Sequence, residues 1–206
     1  KYLYETYDLS NLKYVIIGLS YYSFEYDMSK SSNAWESIRY YPEMKNLHNL
    51  VDEKYCAKYC KEKEDEINSL KMLMYNFDQV FEMKNGQELD ESQGEQQAKA
   101  DYNKNYPNTV WENKQILKEY ITYLEARKVK PIFLIMPAMD CYTRYVKEID
   151  KEAFYKNLYG VLEGRKYQIL DYFKEYYPNS YYYHITHFNK IGSITFTKRL
   201  NEDIIW

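Results

Sequence analysis

The sequence predicts an α/β fold, a three-layer sandwich in which helices cover both faces of a mostly parallel sheet. Three observations carry that expectation. Short, continuous apolar runs at Lys13–Leu19 and Pro131–Met136 have the pattern of buried strands, the first buried on both faces, and Tyr167–Asp171 reads as a third strand. Stretches with helical spacing occupy Val110–Lys128, Glu152–Glu163 and Lys190–Asp203. Their order, strand and helix in alternation, is that of parallel strands joined by crossover helices.

Taken in order, residues 1–12 read as the tail of a helix and a short connection. The first apolar run ends in Gly18-Leu19-Ser20-Tyr21-Tyr22, which puts polar and aromatic groups at a strand's carboxyl end. Ligands of open α/β sheets bind at that edge. An irregular helical insertion is expected at about 23–108. Within it, Asp27–Asn33 is a polar loop. Asn49–Phe81 has helical spacing through Leu50, Tyr55, Tyr59, Ile67, Leu70, Leu73 and Phe77, and its charge run Lys61–Glu66 reads as a solvated helix face. Lys84–Asn108, rich in Gly, Gln and Asn, reads as a long loop of the kind used as lids or binding loops.

Regularity then returns. Apolar residues at 110, 116, 117, 120, 121 and 124 make one buried stripe, with Asn108 or Thr109 as the cap. Pro137 stops the second strand. Phe154, Leu158, Val161 and Leu162 line one side of the next helix, and Gly164 closes it. The last helix runs to Asp203. The whole chain, 1–206, is expected to form one domain that carries the insertion.

Composition narrows the function classes. With 45% hydrophobic and 29% charged residues the 206-residue chain is an ordinary globular sequence. A formal charge of −3 gives no basic field for nucleic acid. No run approaches the ~18 apolar residues of a membrane span. The chain starts at Lys1 without Met, so an upstream segment is expected, and membrane association would come only through such a segment. Tyrosine is the outlier, at 27 residues against 8 Phe and 3 Trp. It reads either as drift in an AT-rich genome or as a surface for stacking on sugars. Cys56, Cys60 and Cys141 make neither a zinc site nor a disulfide framework and read as small buried or partly buried thiols. No cofactor is expected.

Candidate chemistry gathers near the end, in Tyr183-His184-Ile185-Thr186-His187-Phe188-Asn189. Imidazole exchanges protons near neutral pH. His184 and His187 have three readings: a metal pair, two hydrogen-bonded structural residues at a helix entrance, or a catalytic base at His187. No acidic or sulfur ligand lies nearby in sequence, so no metal is assigned. Ser20 reads as a nucleophile on a half-matched Gly-x-Ser-x-Gly elbow, as a wall of an oxyanion pocket, or as a plain strand-end serine. Asp140 and Arg144 read as substrate ligands or as a surface ion pair at i,i+4.

The segment His187-Phe188-Asn189-Lys190-Ile191-Gly192-Ser193 resembles the last block of SGNH (GDSL-type) hydrolases, whose form is Asp-x-x-His-Leu-Asn-x-x-Gly-Ala. The DltD-like members linked to bacterial surface polysaccharides are the nearest in pattern. His187 matches the catalytic histidine, Asn189 the following Asn, and Gly192 the glycine that lets the helix pack closely. The resemblance extends over most of the chain. Tyr14–Tyr22 is similar to the strand that ends in the oxyanion-hole block, Gly-x-Asn-Asp, with Gly18 kept, Ser20 at the Asn and Tyr21 at the Asp. Ala98–Asn113 and Pro131–Tyr145 also look like DltD-like proteins. The resemblance implies an SGNH/flavodoxin-like sandwich and an oxyanion or substrate site at Gly18, Ser20, Tyr21 and Asn189. It implies catalysis through His187 with His184 beside it.

Two departures follow. The family's nucleophilic Ser and its second oxyanion glycine precede everything in this chain, which makes it N-terminally incomplete against the pattern. The Asp expected three residues before the base is His184. A carboxylate there holds the imidazole in the right tautomer and stabilises its cation, and its loss costs about 10⁴ in rate in serine proteases. The expected function is therefore an ester hydrolase or O-acyltransferase domain acting on acylated bacterial cell-surface carbohydrate, weak or inactive in this form. The alternative is a non-catalytic glycan-binding or scaffold protein that keeps the fold. The setting implied is bacterial and extracytoplasmic, with an anchor upstream of Lys1.

Overall fold

The structure is a computed structural model that describes residues 7–27, 91–104, 106 and 108–206. Spatial proximity divides the chain into two units, Lys1–Asn11 with Asp27–Val80, and Leu12–Tyr26 with Phe81–Trp206. All the elements below belong to the second. They are β1 (Tyr14–Leu19), α1 (Ser92–Tyr102), α2 (Thr109–Glu125), β2 (Lys130–Ile135), α3 (Asp140–Thr143), α4 (Glu148–Leu162) and β3 (Gln168–Asp171). A 3₁₀ turn at Asn179–Tyr181, β4 (Tyr182–His184), β5 (His187–Phe188) and α5 (Lys190–Asp203) complete the chain.

The fold is α/β, a parallel sheet flanked by helices. Its strand order is β1-β2-β3, with Ile16 opposite Ile132 and Leu134 opposite Leu170. The central strand forms the heart of the core: Ile132, Phe133 and Ile135 are fully buried, as are Ile121 and Leu124 of α2 and Phe154 and Leu158 of α4. Each such side chain removed from water contributes roughly 1.5–3 kcal/mol. On the sheet face that carries Tyr14 and Gln168, the C-terminus closes back. The Gln168 amide exchanges hydrogen bonds with the main chain of Ile205, and the Trp206 ring meets Tyr14 edge-on at 5.4 Å.

Two expectations are corrected. The first strand is not buried on both faces. It lies at the edge of the three described strands, and Ile16 and Gly18 are exposed. Nor is all of 84–108 loop, since Ser92–Tyr102 is helix. Its buried positions are Gly94, Ala98 and Asp101, spaced four and three apart but carrying two small residues and an acid. A seam of that composition presents no apolar stripe to read. The expected helix at 49–81 and Cys56 and Cys60 lie outside the described residues. Among those described, Cys141 is a buried free thiol.

Local chemistry moves other boundaries. α4 begins at Glu148, a turn ahead of its apolar stripe, because the Asp150 carboxylate accepts from the Lys147 N–H at 3.2 Å. It ends on two left-handed residues, Glu163 (φ 50°) and Gly164 (φ 84°). Asn108 precedes α2 with φ 65° and makes no capping hydrogen bond through its side chain.

Candidate functional site

β4 and β5 form a short antiparallel hairpin in which His184 stands opposite His187, with Ile185 and Thr186 as the turn between them. The turn is anchored. Ile185 is buried, and its carbonyl accepts from the Met139 N–H at 2.9 Å. Met139 lies on the segment leaving the carboxyl end of β2, so the histidine turn is tied to that end of the sheet.

From the other side, Asn189 fixes the hairpin to α5. It is fully buried at the N-cap; its Oδ1 accepts from the Gly192 N–H at 3.0 Å and its Nδ2 donates to the Ser180 carbonyl at 2.6 Å. Its own N–H donates to the Tyr181 carbonyl at 2.8 Å. Gly192 is required for this junction. A Cβ there would lie 2.2 Å from the Tyr181 carbonyl oxygen and 2.6 Å from the Phe188 ring.

Between the two histidines stands Thr186. Its Oγ1 is 3.2 Å from His184 Nδ1 and 3.0 Å from His187 Nδ1, and the two Nδ1 atoms are 3.4 Å apart. A hydroxyl donates one proton and accepts at two lone pairs. It can therefore join the rings in either direction. In one arrangement His184 Nδ1–H donates to Thr186, which donates to His187 Nδ1, and His187 carries its proton on Nε2. In the other the direction reverses, and His187 Nε2 is free to accept a proton. Only the second makes His187 a base at its outer nitrogen.

His187 is exposed as a residue, while the Tyr183 ring lies 5.7 Å from its own. Partial withdrawal of the imidazole from water holds its pKa below the ordinary histidine value, and the field of His184 adds to that. Both effects favour the uncharged ring, the form a base requires.

The other sequence-predicted residues divide. Gly18, exposed at the end of β1, has open space where a Cβ would stand. Ser20 begins a turn in which its N–H donates to Ser23 Oγ at 2.8 Å and its carbonyl accepts from the Ser23 N–H at 2.8 Å. Tyr21 is buried, its ring tilted against those of Phe154, Tyr155 and Phe173, and its hydroxyl donates to Asp171 Oδ2 at 2.6 Å. Tyr155 donates to the same oxygen at 2.5 Å, and the other oxygen accepts from the Phe173 N–H. Asp140 and Arg144 form the i,i+4 ion pair, at 2.9 Å and exposed on both sides. Asp140 borders a hollow of about 240 Å³ between α3 and the loop at 174–179, with Ala138, Thr143 and Lys174 in its wall. Neither histidine lines that hollow.

One residue of the site escaped the sequence reading: Thr186, which joins the histidines. Away from the site, that reading also missed Asp101, a buried acid on α1 that accepts from the Tyr142 hydroxyl at 2.8 Å and from Gln97 Nε2 at 2.9 Å. Thr186 was visible as the one hydroxyl between two imidazoles. Asp101 left a fainter trace, four residues after Gln97 on what was read as loop. Among the described residues no group of three His, Cys, Asp or Glu is placed to hold a metal ion. No described helix is long and apolar enough to cross a membrane.

No family model matches the chain, and neither a curated protein nor a solved structure matches it.

Proposed function

We propose that this chain is the histidine-bearing part of an SGNH-like ester hydrolase or O-acyltransferase that acts on acylated bacterial cell-surface carbohydrate. In that chemistry His187 takes a proton from a seryl hydroxyl, which the resemblance puts N-terminal to Lys1. The serine attacks the acyl carbon, and backbone N–H groups receive the oxyanion. The observation that carries the reading is the His184–Thr186–His187 turn, anchored by Ile185 to the segment that leaves the carboxyl end of β2. Withdrawal from water and the field of His184 favour the neutral form of that imidazole, the form general-base work needs.

The same turn explains why activity should be weak. The Nδ1 of His187 meets a hydroxyl and a second imidazole, where a strong hydrolase has a carboxylate. That observation also favours the second reading, a glycan-binding or scaffold protein that keeps the fold without turnover. One experiment separates them. Protein carrying this chain is incubated with a short-chain aryl ester, beside His187→Ala. Slow hydrolysis lost in the variant supports the enzyme. Equal hydrolysis in both removes His187 as the base. No hydrolysis, with glycan-dependent quenching of tyrosine or tryptophan fluorescence, supports the binding module.

A further inference from the structure

A second hollow, of about 450 Å³, opens at the start of α2, walled by Tyr106, Asn108, Val110, Trp111, Lys114 and Gln115. That volume lies within the ~300–1,000 Å³ of small-molecule sites, and the 240 Å³ hollow beside α3 lies below it. The polar groups of the two also differ in what they do. Beside α3, Asp140 pairs with Arg144 at 2.9 Å, Glu175 accepts from the Tyr177 hydroxyl at 3.0 Å and Asn179 donates to Glu91 at 3.2 Å. At α2, among the described residues, the side chains of Asn108, Lys114 and Gln115 have no hydrogen-bond or ion-pair partner.

Local geometry brings these groups together. On α2, Trp111 and Gln115 are neighbours at i,i+4, as are Val110 and Lys114. Asn108, left-handed at φ 65°, turns the chain ahead of the helix, so that Tyr106 joins the same wall. The Lys114 amine lies against α4 where that helix has no side chain: a Cβ on Gly160 would stand 3.6 Å from Nζ. The Trp111 ring is 65% exposed and meets no other aromatic ring among the described residues. Of the six wall residues only Lys114 is charged, and no carboxylate is among them.

We propose that this hollow is a binding site for an acidic saccharide unit. The free indole face offers an apolar platform to the C–H face of a sugar ring. Each carboxamide both donates and accepts, as a sugar hydroxyl does, so Asn108 and Gln115 match neighbouring hydroxyls. The Lys114 ammonium, with no acid of its own in the wall, takes the carboxylate, sulfate or phosphate of the unit. An acidic peptide fits the wall less well, because Val110 is its only aliphatic side chain. The site adds a place of attachment to the carbohydrate reading above but rests on the hollow alone. Neither histidine lines it.

The test titrates the protein with trigalacturonate, a chondroitin sulfate hexasaccharide and glucose 1-phosphate, with maltotriose as the neutral control. Binding is followed by calorimetry and by tryptophan emission. At least one acidic saccharide should bind saturably, more tightly than maltotriose and less tightly as salt rises. Trp111→Ala should weaken that binding about tenfold or more, an effect of the size of ring stacking on an aromatic side chain. Lys114→Gln should remove the preference over maltotriose and most of the salt dependence. Both side chains reach the surface, and the urea midpoint shows that each variant is folded. Should Trp111→Ala not fold, the indole N–H signal of Trp111 in the unsubstituted protein decides, assigned through Trp111→Phe: a shift that saturates with the ligand supports the site, and a fixed signal overturns it. Binding of none of the three acidic saccharides overturns the proposal, as does binding that both variants leave unchanged or a maltotriose affinity equal to theirs. Ester turnover is read separately through His187→Ala. Loss of the hydrolase reading leaves this site standing, and loss of this site leaves His187 untouched.

Discussion

His184 and His187 present their Nδ1 atoms to each other at 3.4 Å, with the Thr186 hydroxyl against both. Two imidazolium ions so placed repel by about 4 kcal/mol at an effective dielectric of about 20. The pair should therefore bind its two protons in separate macroscopic steps that belong to the cluster and not to either ring. Histidine NMR should show biphasic titration curves for both residues. In His184→Gln one normal curve should remain for His187, displaced upward from its position in the intact pair. Two independent single-step curves in the intact protein would mean that the rings do not sense each other.

Folding inherits that electrostatics. The His187 pKa is held below its ordinary 6.5, by withdrawal from water first and His184 second. Between the folded pKa and about 6.5 the unfolded chain binds more protons, so stability rises with pH through that window. It is lost as pH falls below 6.5 and levels off beneath the folded pKa. Asp101 has the opposite sign: burial raises its pKa above the usual 3.8, so the cost of ionising it in the folded state grows as pH rises from there. Urea unfolding from pH 4 to 8 should show a rise that ends near the ordinary 6.5 and is flattened in His187→Gln.

Gly192 and Gly18 make a matched pair of opposite expectation. A methyl on Gly192 meets a backbone carbonyl and the Phe188 ring inside van der Waals distance, whereas one on Gly18 meets nothing within 4 Å. Gly192→Ala should cost about 1–3 kcal/mol, the range for overpacking, and Gly18→Ala should lie within about 0.5 kcal/mol of the parent. Chemical denaturation of the two variants measures both. Equal losses would mean that the hairpin and α5 are not in such close contact.

The glycine at 192 was legible only through the resemblance of His187–Ser193 to the SGNH block, in which that glycine lets the helix pack closely. The strands were legible from pattern alone, since Ile132–Ile135 is apolar without interruption. α1 was not. Its buried face is Gly94, Ala98 and Asp101, and the pattern of small residues that lets two backbones touch is the inverse of an apolar stripe. The role of Tyr21 was equally hidden. Sequence put it at the sheet edge, but only packing shows its hydroxyl turned inward to Asp171, 150 residues away. Local patterns report contacts made within a few residues, and both misses are contacts between distant segments.

Tyr182 offers a stabilising substitution. Its ring is buried against Phe188 with centroids 4.6 Å apart, and its hydroxyl is buried with no hydrogen-bond partner among the described residues. An unsatisfied buried polar group costs about 1–3 kcal/mol. Tyr182→Phe keeps the ring contact and removes the penalty, so it should raise stability by about 1 kcal/mol, read as a higher urea midpoint at constant slope. A loss of stability would mean that the hydroxyl has a partner in solution.

Asn189 allows a direct choice between a structural and a substrate-binding role. Its side chain joins Gly192 N–H to the Ser180 carbonyl while wholly buried, so both atoms it could offer a ligand are engaged. Asn189→Ala removes a helix cap and leaves a carbonyl unpaired, for a loss of about 2–3 kcal/mol. Asn189→Ser restores an oxygen that can accept from Gly192 N–H but cannot reach Ser180 as a donor. It should recover about half of that loss. If the residue acts only by fixing the hairpin to α5, ester turnover or glycan affinity should follow the folded fraction in both variants. A fall in affinity at full folding in Asn189→Ser would instead assign the amide to the ligand, and would require the Ser180 bond to open when the ligand binds.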